Sequence, residues 1–286
     1  MKLSSIMCNS IRLDGGSMFG NAPKAMWEKW IEADSRNRIN LSTRALLVET
    51  NERRILFETG AGAWMKPEIR KRYGIMEDHN VLLTSLDELG VGHHDITDII
   101  LSHLHFDHSG GMLSDWREDA ETELMFPNAR LIVSKSNWER SLKPHKRDKA
   151  SFIPVLNDLV EKSGRLVTIE EGESLAFDEI NIDFIHFHGH SPGMICSIIK
   201  WQGGEMLFGA DLLPGIPWIR KSITMGYDRF PELLIDEKKA VLAQISEKNA
   251  WIFFTHDPVV SAAKLVKNGN EFNVTNERLC FTRELF

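Results

Sequence analysis

His103-Leu104-His105-Phe106-Asp107-His108 gathers three imidazoles and a carboxylate into six consecutive residues. Eleven histidines in a chain of 286 residues make such a run rare by chance. Its setting makes it chemical. Ile99-Ile100-Leu101-Ser102 before it reads as a short buried strand, and Ser109-Gly110-Gly111 after it as a turn. A rigid strand therefore opens into a loop whose side chains can converge on one point. Imidazole nitrogen and carboxylate oxygen are donors that Zn²⁺, Mn²⁺ and Fe²⁺ accept. The competing reading is a buried polar turn satisfied by backbone hydrogen bonds.

Later strand ends repeat the pattern. A strand ending near Phe187 runs into the turn Gly189-His190-Ser191-Pro192-Gly193. Leu207-Phe208-Gly209-Ala210 leads to Asp211, and Trp251-Ile252-Phe253-Phe254-Thr255 leads to His256. Alone, Asp211 would read as a cap for the next segment and His256 as a core histidine. Their place behind hydrophobic strands, in order after the 103–108 run, favours ligation. Five histidines and two aspartates make two metal sites of ordinary size when one carboxylate bridges them. His188 and His186 read as support for His190 rather than as ligands. His79, His93, His94 and His145 carry no motif and read as solvated loop residues.

The rest of the chain limits the alternatives. A composition of 42% hydrophobic and 26% charged residues is that of a globular protein with a full core. The net charge of −7 gives no reason to expect nucleic acid, and two divalent ions would offset four of those charges. No stretch of eighteen apolar residues exists, so no membrane span is expected. Ser4, Ser5, Asn9 and Arg12 interrupt the apolar N-terminus, which makes a poor signal peptide. Cys8, Cys196 and Cys280 are odd in number and far apart, as expected of reduced thiols in a cytoplasm. Four basic residues between 143 and 149 read as a solvated face.

Hydrophobic periodicity predicts strands at 44–50 and 54–58, joined by a polar turn, and a helix over 81–89. Strands follow at 98–102, 130–134, 165–169, 180–187, 194–200, 205–209 and 250–254. Helices are expected at 136–142, 152–162, 237–248 with Asp236 as N-cap, and 258–267. No linker rich in Pro, Gly or Ser divides these elements, so a single domain over 1–286 is expected, with an irregular arm over about 1–40. Met18, Phe19, Trp27 and Trp30 make that arm aromatic: core cover, a pocket wall, or a subunit interface serving a homodimer.

These motifs resemble the metallo-β-lactamase-fold hydrolases, whose hallmarks are a His-x-His-x-Asp-His run, a Gly-His-[Ser/Thr]-Pro-Gly turn, a bridging aspartate and a last histidine. The likeness runs from about 44 to 256. It implies an α/β fold, the four-layer αββα sandwich. It also implies that His103, His105 and His190 hold one metal, that Asp107, His108 and His256 hold the second, and that Asp211 bridges. The stretch Leu13-Asp14-Gly15-Gly16-Ser17-Met18-Phe19-Gly20, with Pro23, Lys24 and Trp27, is similar to the start of the YtnP-like quorum-quenching lactonases. That branch includes relatives of the methyl parathion hydrolases, and Met225-Gly226-Tyr227-Asp228 fits it too. Two positions depart from the pattern. Glu58-Thr59-Gly60 stands where the superfamily has Asp-Thr-Gly, and Pro214 stands where acyl-homoserine lactonases have a Tyr.

The chemistry so implied is that of a dinuclear metal-dependent hydrolase, with metal-bound hydroxide attacking a small ester-like substrate, a lactone of the acyl-homoserine type first. The cofactors are two divalent ions, zinc before Mn, Co or Fe. Asp107 and Asp211 are placed to take and return the proton, and Tyr227 is the available oxyanion donor in the absence of the usual Tyr. Phe106, Tyr227 and the N-terminal aromatics are candidate walls for the small-molecule pocket. The alternatives are a phosphotriester or phosphodiester hydrolase and a mono-iron persulfide dioxygenase.

Overall fold

The computed structural model describes residues 1–177 and 179–286. Its strands are β1 (Lys2–Ile6), β2 (Ile11–Asp14), β3 (Arg38–Leu41), β4 (Ala45–Glu49), β5 (Arg54–Phe57), β6 (Asp98–Ile100), β7 (Arg130–Ser134) and β8 (Leu166–Ile169). They continue with β9 (Ser174–Ala176), β10 (Ile180–Phe187), β11 (Met194–Trp201), β12 (Gly204–Phe208), β13 (Trp251–Phe253), β14 (Ala262–Asn268) and β15 (Glu271–Arg278). Two compact units divide the chain. The first comprises Met1–Ile11, Ser42–Glu171 and Phe281–Phe286, the second Arg12–Leu41 and Gly172–Cys280. Each has its own sheet and helices, the content an αββα sandwich requires.

The first unit holds a six-stranded sheet in the order β1-β4-β5-β6-β7-β8. β5, β6, β7 and β8 run parallel, while β1, β4 and β5 pair antiparallel. Leu46, Leu47, Val48, Ile55, Leu56 and Phe57 are all buried, so these strands read as continuous apolar runs covered on both faces. Leu47, Leu56, Ile99, Leu131 and Val133 pack in one cluster with Leu82 and Leu86 of the helix Val81–Glu88 and with Leu156 and Val160 of the helix Pro154–Ser163. The expected strand 98–102 ends at Ile100, where the backbone turns away into the histidine run. The last residues close the edge of this sheet. Leu3 and Glu284 exchange backbone hydrogen bonds of 2.9 and 3.0 Å.

The second unit holds a seven-stranded sheet in the order β15-β14-β13-β12-β11-β10-β9. Its pairings are antiparallel except for β12 and β13, which run parallel. Two expectations fail here. The segment 258–267 is not a helix: β14 pairs with β13 on one side and β15 on the other. The Asn268-Gly269-Asn270 turn, with Gly269 at φ 60°, makes the hairpin. β15 is an edge strand with exposed or half-buried side chains, and only Phe272 and Val274 alternate with polar neighbours, too short a pattern to announce it. The helix expected at 237–248 begins at Pro231 and runs to Glu247, with no cap from Asp236. Proline sits at its first position, where a missing N–H costs nothing.

The aromatic arm belongs to this second unit and is core. Trp27, Phe19 and Trp218 stack, with ring centroids 5.4 and 4.7 Å apart and planes within 11° and 5°. Trp218 Nε1 donates to Met18 O at 2.9 Å, and the Arg220 guanidinium lies 4.3 Å from the Trp30 ring centroid. Phe19 and Trp27 are buried, as core cover requires. Among the described residues no helix is long and apolar enough to cross a membrane. Trp218→Ala removes the end of the stack and leaves a large cavity, so it should cost about 3–5 kcal/mol of stability. The check is the urea midpoint of the metal-free protein.

Candidate metal centre

In the first unit the site grows from the ends of two parallel neighbours. β5 runs into Glu58 and β6 into Ser102, so both loops leave the same end of the sheet. Glu58 lies at φ 67°, a left-handed conformation that costs a non-glycine residue about 1–3 kcal/mol. The strain aims its carboxylate inward. One oxygen accepts the Ser102 N–H at 2.7 Å and the other lies 2.8 Å from His108 Nδ1, with both side chains fully buried. The glutamate thus reaches its partners despite the extra methylene. Thr59 fixes the same turn by donating from N–H and Oγ1 to His108 O, at 2.8 and 3.0 Å.

The rest of the run is held as firmly. Ser102 Oγ lies 2.9 Å from His103 Nδ1, and Leu104 N–H donates to Asn137 Oδ1 at 2.9 Å. His105 opens the short helix Phe106–Ser109, and Ser109 Oγ donates back to His105 O at 2.9 Å. His103 Nε2 and His105 Nδ1 come within 3.0 Å of each other, and Asp107 Oδ1 lies 3.8 Å from His108 Nε2. Two buried imidazole nitrogens at that separation, with the outer nitrogen of His103 already engaged, form a donor set that fits a divalent cation. Phe106, a candidate pocket wall, packs edge-on against Tyr73 at 4.9 Å between centroids.

The second unit carries the other expected residues. Parallel register pairs Phe208 with Phe253, and Asp211 and His256 each lie three residues beyond that pair. They therefore leave the same end of the sheet, and both are buried. His256 Nε2 sits 3.1 Å from one Asp211 oxygen and His190 Nε2 3.2 Å from the other. Ala210, at φ 43°, stores strain just before the aspartate. His256 N–H donates to Pro214 O at 2.8 Å, so the position that has a Tyr in acyl-homoserine lactonases serves here as a backbone anchor.

His190 is fixed from its other side by a residue that motif reading passed over. Asp228 Oδ1 lies 2.8 Å from His190 Nδ1, and Asp228 Oδ2 accepts the Met225 N–H at 2.6 Å. Glu237, from the helix Pro231–Glu247, accepts the N–H groups of His188 and Gly189 at 2.7 and 3.0 Å. Burial raises its carboxyl above the usual range, against those hydrogen bonds. His188 Nδ1 accepts the Gly193 N–H at 3.2 Å, so this histidine shapes the turn, as expected of a supporting residue. A side chain at Gly189 would collide with the backbone of Leu234 on the same helix. Tyr227, beside Asp228, is exposed.

Comparison with known proteins fits this geometry. The family model for the metallo-beta-lactamase superfamily matches residues 39–256. The chain belongs to this superfamily. Its fold is the metallo-β-lactamase fold, and it is a metal-dependent hydrolase. The N-acyl homoserine lactonase AiiA of Bacillus thuringiensis subsp. kurstaki is 26% identical over 234 residues, covering 77% of this chain and 82% of that one. A solved Staphylococcus aureus protein, described as a "probable metal-dependent hydrolase", superposes with a TM-score of 0.85 at 24% identity, over 100% of this chain and 99% of that one. AidC, a dizinc quorum-quenching lactonase solved with its product N-hexanoyl-L-homoserine, gives 0.73 at 23% identity, over 96% and 94%.

Within this superfamily member, Asp228, Glu237 and Lys238 were not legible as site residues. One signal existed. Leu234, Lys238, Val241 and Ile245 follow helical spacing, which sets a lysine on the buried stripe. Its ammonium donates to Ile223 O at 2.6 Å, and burial pushes it down to about 8, with the Asp228 charge opposing. Asp228→Asn keeps the shape but removes the carboxylate that orients His190. Metal affinity should fall about 10- to 100-fold, read by competition with a chromogenic chelator.

Proposed function

We propose that this hydrolase is dinuclear and opens lactone rings of the acyl-homoserine type. In this reading His103, His105 and His190 hold one ion, Asp107, His108 and His256 hold the other, and Asp211 bridges them. The observation that carries it is Asp211, whose two carboxylate oxygens are each met by a different histidine at 3.1–3.2 Å. That is what a bridging ligand requires: one oxygen for each ion. The order of the motifs along the chain supports the same assignment, as does the likeness to AiiA. Nitrogen and carboxylate donors at short range suit zinc, with manganese, cobalt and iron as substitutes. The units of the chain act together as one catalytic domain in this proposal.

Two divalent ions, when bound, bring a water's pKa towards neutrality and polarise the scissile carbonyl. The residues do the rest. Glu58 and Asp228 each engage an Nδ1, of His108 and His190, which leaves Nε2 as the donor each histidine offers. Asp107 and Asp211 are the acceptors for the proton of the attacking water and hand it to the leaving alcohol oxygen. Tyr227 supplies a hydroxyl donor for the oxyanion that develops on the carbonyl. Its exposed position beside Asp228 leaves it reachable by substrate.

Metal quantitation paired with a turnover panel tests the proposal. The expected result is two zinc-class ions per chain and ring opening of acyl-homoserine lactones, with aryl phosphotriesters and glutathione thioesters turned over far more slowly. A chelator, or His105→Ala, should lower lactone turnover by more than about a hundredfold. One iron per chain with persulfide oxidation would overturn the hydrolase reading. Phosphotriester cleavage without lactone opening would move the substrate assignment alone.

A further inference from the structure

We propose that Lys238 is a positioning residue for His190: its buried ammonium ties the 223–228 segment to the helix Pro231–Glu247 and so holds Asp228 against the His190 imidazole. The inference rests on the reading of His190 as a metal ligand. The chain of contacts lies wholly within the second unit. Lys238 is fully buried and donates to Ile223 O at 2.6 Å. Five residues on, Asp228 accepts from Met225 N–H and meets His190 Nδ1. Beyond it, Arg229 N–H donates to His190 O and Phe230 N–H to Gly189 O, at 3.2 and 2.8 Å. The segment is thus pinned to the helix at one end and to the His190 turn at the other.

One turn of that helix serves both sides. Glu237 grips the amides of His188 and Gly189, while its neighbour Lys238 grips the loop that carries Asp228. A helix is a rigid spacer, so the two grips set the distance between the imidazole and its carboxylate partner. An ammonium is an expensive group to bury for packing alone. Replacing every member of a buried charged pair by apolar groups can be neutral for a fold, but removing Lys238 alone leaves the Ile223 carbonyl unpaired and lowers stability. Both a positioning and a packing role therefore predict lower stability, and only positioning predicts a change at the His190 ring and in zinc affinity.

The test compares wild type, Lys238→Met, Asp228→Asn and the double variant, each with and without zinc. Expected for Lys238→Met is a lower urea midpoint in the metal-free protein, together with zinc bound about tenfold more weakly. In the metal-free protein, the ¹⁵N shifts of the His190 ring should move from a single tautomer towards a mixture. The double variant should bind zinc no more weakly than Asp228→Asn alone, because both changes act through one carboxylate. Wild-type zinc affinity and an unchanged His190 tautomer in Lys238→Met would overturn the inference. If Lys238→Met does not fold, Lys238→Gln replaces it, since its amide stops one bond short of Ile223 O. The same loss of affinity is expected, and wild-type binding by that variant overturns the inference. Failure of wild type to bind zinc would overturn the metal-ligand reading instead, and the His190 tautomer still decides the role of Lys238.

Discussion

The parallel ladder between β12 and β13 is the constraint on which the second unit's chemistry depends. Antiparallel neighbours present their loops at opposite ends, so two adjacent strands cannot both deliver a C-terminal side chain to one place. This single parallel pair can, and the Phe208–Phe253 register gives Asp211 and His256 equal offsets from it. The first unit obeys the same rule through β5 and β6, which deliver Glu58 and the histidine run. Donors placed by strand ends inherit the rigidity of the ladder, which suits groups that must keep their geometry before any ion arrives.

Around those strand ends the protein tolerates costs that an ordinary core avoids. Glu58 takes a left-handed backbone, Ala210 another, and Glu237 and Lys238 place charge-bearing groups in or near the interior. Each of these charge-bearing groups is answered by specific partners. Glu58 meets a backbone amide and a histidine, Glu237 meets two backbone amides, and Lys238 meets a carbonyl and the field of Asp228. Such groups set orientation more than they add stability, because an imidazole offers its metal-facing nitrogen only when the other is engaged.

The aromatic arm connects core packing to this same region. Its Trp27–Phe19–Trp218 stack buries three large rings, and Ser17 O accepts the Gly226 N–H at 2.8 Å, two residues before Asp228. The arm thus stabilises the second unit and braces the segment that orients His190. An apparently loose N-terminus is here part of the scaffold that the site uses.

Local signals carried much of this in the amino-acid sequence. Donor types, their spacing and the apolar strands before them singled out His103, His105, Asp107, His108, His190, Asp211 and His256, because ligand chemistry and strand burial are written within a few consecutive residues. Most strands were legible for the same reason. The edge hairpin of β14 and β15 was not, since a solvated edge strand displays only the short alternation of Phe272 and Val274. Nor were Asp228, Glu237 and Lys238, whose roles depend on groups 38, 48 and 15 residues away. Sequence by itself nominated a donor set and determined the class of chemistry. Tertiary structure decided which nitrogen each supported histidine offers and what holds it there, because that depends on the approach of a helix and two loops that no local pattern encodes.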